Sequence, residues 1–173
     1  MKNIEKTAEA EFLRVVRFNM ESQKALAEKA FERLSEIDYQ IALDDESNTV
    51  AIIIQHLSGN MVSRFTDFLH SDGEKPDRNR DSEFVDKRVS SKQLMAIWEF
   101  GWKTVFHTLD SLKPEDLLKT VYIRNEPHSV IEALNRQVAH YSYHVGQIIF
   151  LAKHLRYKNW KSLSIPRAKA NNV

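Results

Sequence analysis

Residues Asn135–Gln147 read NRQVAHYSYHVGQ, and this stretch decides the fold. Ser129 with Glu132, following Pro127, forms a capping-box pattern just ahead of it, and the helical spacing of apolar residues runs on to about Leu155. His140 and His144 stand at i and i+4 in this helix. At about 100° per residue both imidazoles leave on one side, with Cβ atoms roughly 5–6 Å apart. That is the spacing of a bidentate metal clip. The same face carries Arg136, Gln137, Tyr143, Gln147 and then Leu151, so its centre is polar.

The remaining segments supply helices to pack against this one. From about Ile4 to Ile37 the apolar positions Phe12, Val15, Val16, Leu26, Ala30, Leu34 and Ile37 mostly recur at three- and four-residue steps, predicting one long amphipathic helix. The cap formers Asp44, Asp45, Glu46, Ser47 and Asn48 predict a second helix from there to about Leu69. Residues 71–90 contain Gly73, Pro76 and many charges, predicting an exposed connection. Connections of this length often serve as a lid, with Arg78 and Arg80 the groups to watch. Ser90 with Gln93 caps a third helix whose apolar stripe includes Trp98, Trp102, Val105, Leu109 and Leu112. Gly101, between two core tryptophans, allows close packing or makes room for the indoles. Pro114 opens a short helical turn to Leu118, Thr120–Ile123 reads as a brief extended connection, and Trp160 and Leu163 are late apolar anchors before a loosely held polar end. The expectation is all-α: a single domain over 1–173, a four-helix bundle with a long connection between helices 2 and 3 and a short C-terminal extension.

Composition narrows the chemistry. Cysteine is absent, so any metal must be held by nitrogen and oxygen, and a cysteine nucleophile is excluded. Four Gly and four Pro in 173 residues leave few breaks for an all-β design. The N-terminal MKNIEKTAEAEF lacks the apolar core of a signal peptide, and no run approaches a membrane span, so the expectation is a cytoplasmic protein without membrane contact. The net charge of +1 hides a basic tail after Glu132, including Arg156, Lys158, Arg167 and Lys169. Such a tail attracts anions or nucleic acid, although the ordinary acid/base balance over the first 132 residues argues against a nucleic-acid partner.

A third ligand must come from elsewhere, and the best candidate is His56 of the second helix, in VAIIIQHL at Val50–Leu57. Its face carries Thr49, Ile52, Ile53, Asn60, Ser63 and Asp67, with Arg64 on the flank. An isolated histidine on an apolar face is more often a hydrogen-bonded core residue than a ligand, and the pair His140 and His144 is the stronger signal. Zn²⁺, Ni²⁺ and Fe²⁺ all accept imidazole, so the donor type does not choose among them. Tyr141 stands where the zinc-protease motif has its glutamate, and neither a G-x-S-x-G elbow nor a phosphate-cradling glycine loop is present.

The histidine in IIIQHLSGNMVSRF and the H-x-x-x-H at His140 to His144 resemble the DinB-like family of bacterial four-helix-bundle proteins, which also includes the YfiT-type metal-dependent hydrolases. The resemblance covers nearly the whole chain in helix order, and its texture is nearest to an uncharacterised bacterial subgroup. It implies a divalent metal on His56, His140 and His144, a small-molecule substrate and a homodimer. Some relatives transfer a low-molecular-weight thiol to electrophiles, so by analogy the metal would present a thiolate. Asn60 and Gln147 would orient substrate or water, and Arg64, Arg80 and Arg136 would contact a carboxylate on the thiol. Metal-dependent hydrolysis is the alternative within the enzyme class. Outside it stands a non-enzymatic metal or ligand sensor, or a nucleic-acid-associated stress protein.

Overall fold

The computed structural model describes residues 7–165. Four helices dominate: α1 Ala8–Phe31, α2 Val50–Phe65, α3 Ser91–Ser111 and α4 Val130–Leu155. The side chains of Thr7, Thr49, Ser90 and Ser129 each accept a backbone N–H of the following first turn, satisfying a donor that the helix leaves unpaired. Both anticipated capping boxes form: Gln93 and Glu132 return to the backbone N–H of Ser90 and Ser129 at 2.9 and 2.6 Å. No helix among the described residues is long and apolar enough to cross a membrane.

The relative directions of the helices follow from their cross-links. Arg17 and Lys24 of α1 pair with Asp110 and Glu99 of α3, an antiparallel order. Ser58 and Met61 of α2 face Gly101 of α3, and Phe65 accepts the Thr108 hydroxyl, so α2 and α3 run parallel. His56 meets His140 while Asn60 meets Tyr141 and Arg64 lies by Gln137, so α2 and α4 are antiparallel. The bundle is therefore up-down-down-up, and the parallel α2–α3 pair requires a long return between them. A Cβ at Gly101 would stand 3.0–3.2 Å from Met61 Sδ and Ser58 Cα, which is why the α2–α3 contact carries glycine at that point. Trp98 and Trp102 are fully buried, as read from the sequence. The apolar spacing of Trp160 and Leu163 is also satisfied, for both pack on the core, and Arg33 lies over the Trp160 ring.

Several boundaries differ from the periodicity. The first helix stops at Phe31 instead of Ile37, because Ser35 and Asp38 form a new capping box that opens a 3-10 turn, Glu36–Gln40. Asp38 in that turn receives Arg156 from the end of α4, and Ile37 is left 70% exposed. The expected start near Ile4 lies outside the described residues, as do Arg167, Lys169 and the polar end after Pro166. The second helix begins at Val50, later than the acidic cluster, and ends at Phe65, where Asp67 turns the chain with φ 49°. Thr120–Ile123 is extended, but it forms strand β1 of a hairpin with β2, Glu126–Ser129. Arg124 and Asn125 make its two-residue turn at φ 57° and 61°.

The largest correction concerns residues 71–90, which are not simply an exposed connection. Gly73 N–H donates to Tyr122 O at 2.8 Å, and the Asp72 carboxylate accepts the N–H groups of Arg124 and Asn125 at 2.9 and 2.7 Å, so this segment is fastened to the hairpin turn. Beyond it a 3-10 turn, Asp81–Phe84, drops onto α2 and buries Glu83.

Candidate metal centre

α2 and α4 bring His56, His140 and His144 together, with one ring nitrogen of each lying within 4.8 Å of the others. His56 and His144 are buried and His140 is partly so. The ring centroids are 4.7–5.3 Å apart and the planes are steeply inclined, an arrangement in which lone pairs rather than ring faces converge.

The outer nitrogens fix the tautomers. His56 Nδ1–H donates to Glu83 Oε2 at 2.9 Å, and Glu83 in turn accepts two hydrogen bonds from Arg78, both 2.8 Å. His144 Nδ1–H donates to Gln147 Oε1 at 2.7 Å, while Gln147 Nε2 donates to the Tyr143 hydroxyl at 3.1 Å. With their protons spent outward, the Nε2 atoms of His56 and His144 present bare lone pairs inward. His56 Nε2 lies 3.3 Å from His140 Nε2. Two imidazoles each about 2.1 Å from one tetrahedral ion stand about 3.4 Å apart, so the spacing fits a shared cation.

Charge states agree with this donor set. Burial, then His144, His56, Arg64 and Arg78, push the His140 pKa down to about 3, so its imidazole is neutral at physiological pH. His144 is likewise lowered, chiefly by burial. For Glu83 burial acts upward, but the hydrogen bonds from His56 and Arg78 outweigh it and keep the carboxylate ionised. The three histidines thus make an all-nitrogen donor set with one carboxylate directly behind His56, the donor chemistry of a divalent transition-metal site.

Glu83 reaches His56 only because α2 carries glycine at position 59, where an added Cβ would lie 2.3 Å from Glu83 Oε1. Phe84 stacks at a tilt on the His56 ring, 4.7 Å between centroids. Beneath the histidines the Tyr141 hydroxyl donates to Asn60 Oδ1 at 3.3 Å, and burial raises the Tyr141 pKa, keeping the phenol neutral.

Beside His56 and His140 lies a cavity of about 200 Å³ lined by Arg64, Arg78, Arg80, Arg124 and Arg136. Asn60 and Gln137 complete its wall. Four sequence-predicted residues, Asn60, Arg64, Arg80 and Arg136, therefore share one space with two of the histidines. Gln147 does not; it lies behind His144. Arg64 is buried, bonded to Gly73 O and to Glu74 at 2.9 Å, so it braces the α2–α3 connection. Arg80 is half exposed and stacks over Phe84, 5.0 Å from the ring centroid. Arg136 is exposed on α4. Sequence reasoning missed Glu83 and Arg124. An acidic residue next to an aromatic, Glu83–Phe84, inside an otherwise charged connection is the one local signal that the segment folds inward.

A family model described as "Protein of unknown function (DUF1572)" matches residues 7–169, and the chain belongs to that family. No curated protein matches.

Proposed function

We propose that this member of the DUF1572 family is a metal-dependent enzyme that joins a low-molecular-weight thiol to an electrophilic small molecule. The observation that carries the reading is the convergence of three imidazoles, two of them with their Nδ1 protons directed outward onto Glu83 and Gln147. A divalent ion held there would act as a Lewis acid and lower the pKa of a thiol or water brought to it.

The protein's own residues do the rest. Glu83 holds the His56 ring and raises its basicity, and Arg78 holds Glu83. Gln147 does the same more weakly for His144. Asn60, fixed by Tyr141, orients the reacting group. Phe84 and the 3-10 turn around it cover His56 and exclude water from that side.

Thiol transfer is favoured over hydrolysis by the cavity wall. Among the described residues no carboxylate lines it, and Glu83 is committed to His56 and Arg78. Ester or amide hydrolysis also needs a positioned acid to protonate the leaving oxygen or nitrogen, whereas displacement of a stable anion by a thiolate needs none. The up-down-down-up order and the three histidines also support the kinship with DinB-like bundles. That kinship carries the further proposal of a homodimer, which sedimentation tests.

The test is thiol consumption with a model electrophile by protein loaded with Zn²⁺, Ni²⁺ or Fe²⁺, beside metal-free protein. Metal-dependent loss of thiol is expected. Cleavage of an ester or amide without thiol consumption would replace the reading by hydrolysis, and metal binding with neither reaction would make the protein a metal sensor.

A further inference from the structure

We propose that the arginine-lined cavity is a subsite for an anionic group of the substrate, a carboxylate or a phosphate, held within reach of His56 and His140. The inference deepens the enzyme reading and rests on it for the part the subsite plays in a reaction.

Five guanidiniums face one space of about 200 Å³. Only two carboxylates with substantial burial oppose them. Glu74 serves Arg64, Arg78 and Arg124 at 2.9, 3.2 and 3.0 Å, and Glu83 serves Arg78 and His56. Two further acids stand near: Asp72, which acts on Arg64 and accepts the Arg124 N–H, and Asp81, 3.8 Å from Arg80 and 97% exposed, where water screens it, so five guanidiniums meet four carboxylates. Arg136 has no ion pair or hydrogen bond among the described residues. Positive charge is thus in excess, and its repulsion is felt at Arg64, whose charged form Arg78 and Arg124 disfavour.

A second observation is independent of charge. Gln137 is 3% exposed, lines the same cavity, and its Oε1 has no hydrogen-bond partner. A buried carbonyl oxygen without a partner is costly, and its unspent bond suits a hydroxyl or acidic O–H adjoining the anion. Rigid backbone holds the cluster in place. Arg64 is bonded to Gly73 O, Arg124 lies in the hairpin turn fastened by Asp72, and Arg78 is locked on Glu83. An anion would meet prearranged donors, with Arg80 and Arg136 closing from the solvent side.

The arrangement links the subsite to the histidines. Arg78 is shared between the cavity and the Glu83–His56 pair. Occupancy of the cavity therefore bears on the brace behind a metal ligand.

Calorimetric titration of Zn²⁺-loaded protein with inorganic phosphate, and separately with succinate, at constant ionic strength tests the proposal. Saturable binding of one anion per chain is expected, and the tighter arm distinguishes phosphate from carboxylate. Arg80→Ala with Arg136→Ala, both on exposed side chains, should weaken it about tenfold or more at unchanged metal content and melting temperature. Gln137→Leu supplies a second, uncharged probe and should weaken the tighter anion without abolishing it. Absence of saturable binding by both anions to metal-loaded protein would overturn the subsite, as would binding that the arginine pair does not affect. Metal content is read on the same samples. Arginine-dependent anion binding by protein that takes no metal would retain the subsite and remove the enzyme reading.

Discussion

His56 and His144 offer the same nitrogen to the same point, yet they are braced by different chemistry. Behind His56 stands an ionised carboxylate clamped by a guanidinium; behind His144 stands a neutral amide held by an exposed tyrosine. The first brace arrives from a distant segment of the chain, while the second comes from the next turn of the same helix. A carboxylate stabilises positive charge on its imidazole far more than an amide does, so the α2 ligand should be the stronger anchor. The comparison teaches that the centre is asymmetric: α4 provides position and the α2–α3 connection provides electronic support.

The largest expected effect is loss of the centre itself. His56→Ala and His140→Ala should each reduce metal content, by elemental analysis, from about one equivalent to near zero; retention of metal in either variant would separate that histidine from the site. Next, Glu83→Gln should lower metal affinity by about 10–100-fold in a competition titration, and Gly59→Ala should act in the same direction by displacing the Glu83 carboxylate. Gln147→Ala should cost clearly less than Glu83→Gln, and an equal loss would abolish the asymmetry.

Smaller effects sharpen the role of the connection. Asp72 is its staple to the hairpin. Burial acts upward on its pKa, but the N–H groups of Asn125, Glu74 and Arg124 prevail and lower it. A carboxyl depressed on folding contributes stability that is present above its unfolded value of about 3.9 and is lost as pH falls through the folded value. Asp72→Asn should therefore destabilise by about 1 kcal/mol at pH 7, after allowance for solvent contact, and the melting curves of the two proteins should converge as pH falls below the folded pKa of Asp72. The smallest change is Asn125→Gly, which relieves a positive φ and should raise stability by about 0.5 kcal/mol.

The helical half of the centre was legible in the sequence because its signals are local. The i, i+4 histidines, the matching polar belts around His56 and His140, and the Ser90 and Ser129 capping boxes each need only one turn of helix. The first helix was read too long for the same reason. Leu34 and Ile37 extend the spacing, while the restart at Ser35 depends on Asp38 meeting Arg156 from the far end of the chain. Glu83 was hidden because its burial is decided by Gly59, Arg78 and His56 together, none of which is its neighbour in sequence. Arg124 was hidden because its place in the cavity depends on a hairpin whose second strand, Glu126–Ser129, contains a proline and little β-branched character.

The wide separation of the ligands along the chain bears on how the protein matures. His56 and His140 lie 84 residues apart, so a ribosome finishes α2 and α3 before the α4 ligands exist. No partial chain can hold an ion on all three imidazoles, and loading must follow release of α4 and its docking on α2. Until α4 docks, His56 and its Glu83–Arg78 brace are the only part of the cluster that the emerging chain carries. A cation that bound the three imidazoles would therefore be chosen after translation, from the divalent ions available at that stage.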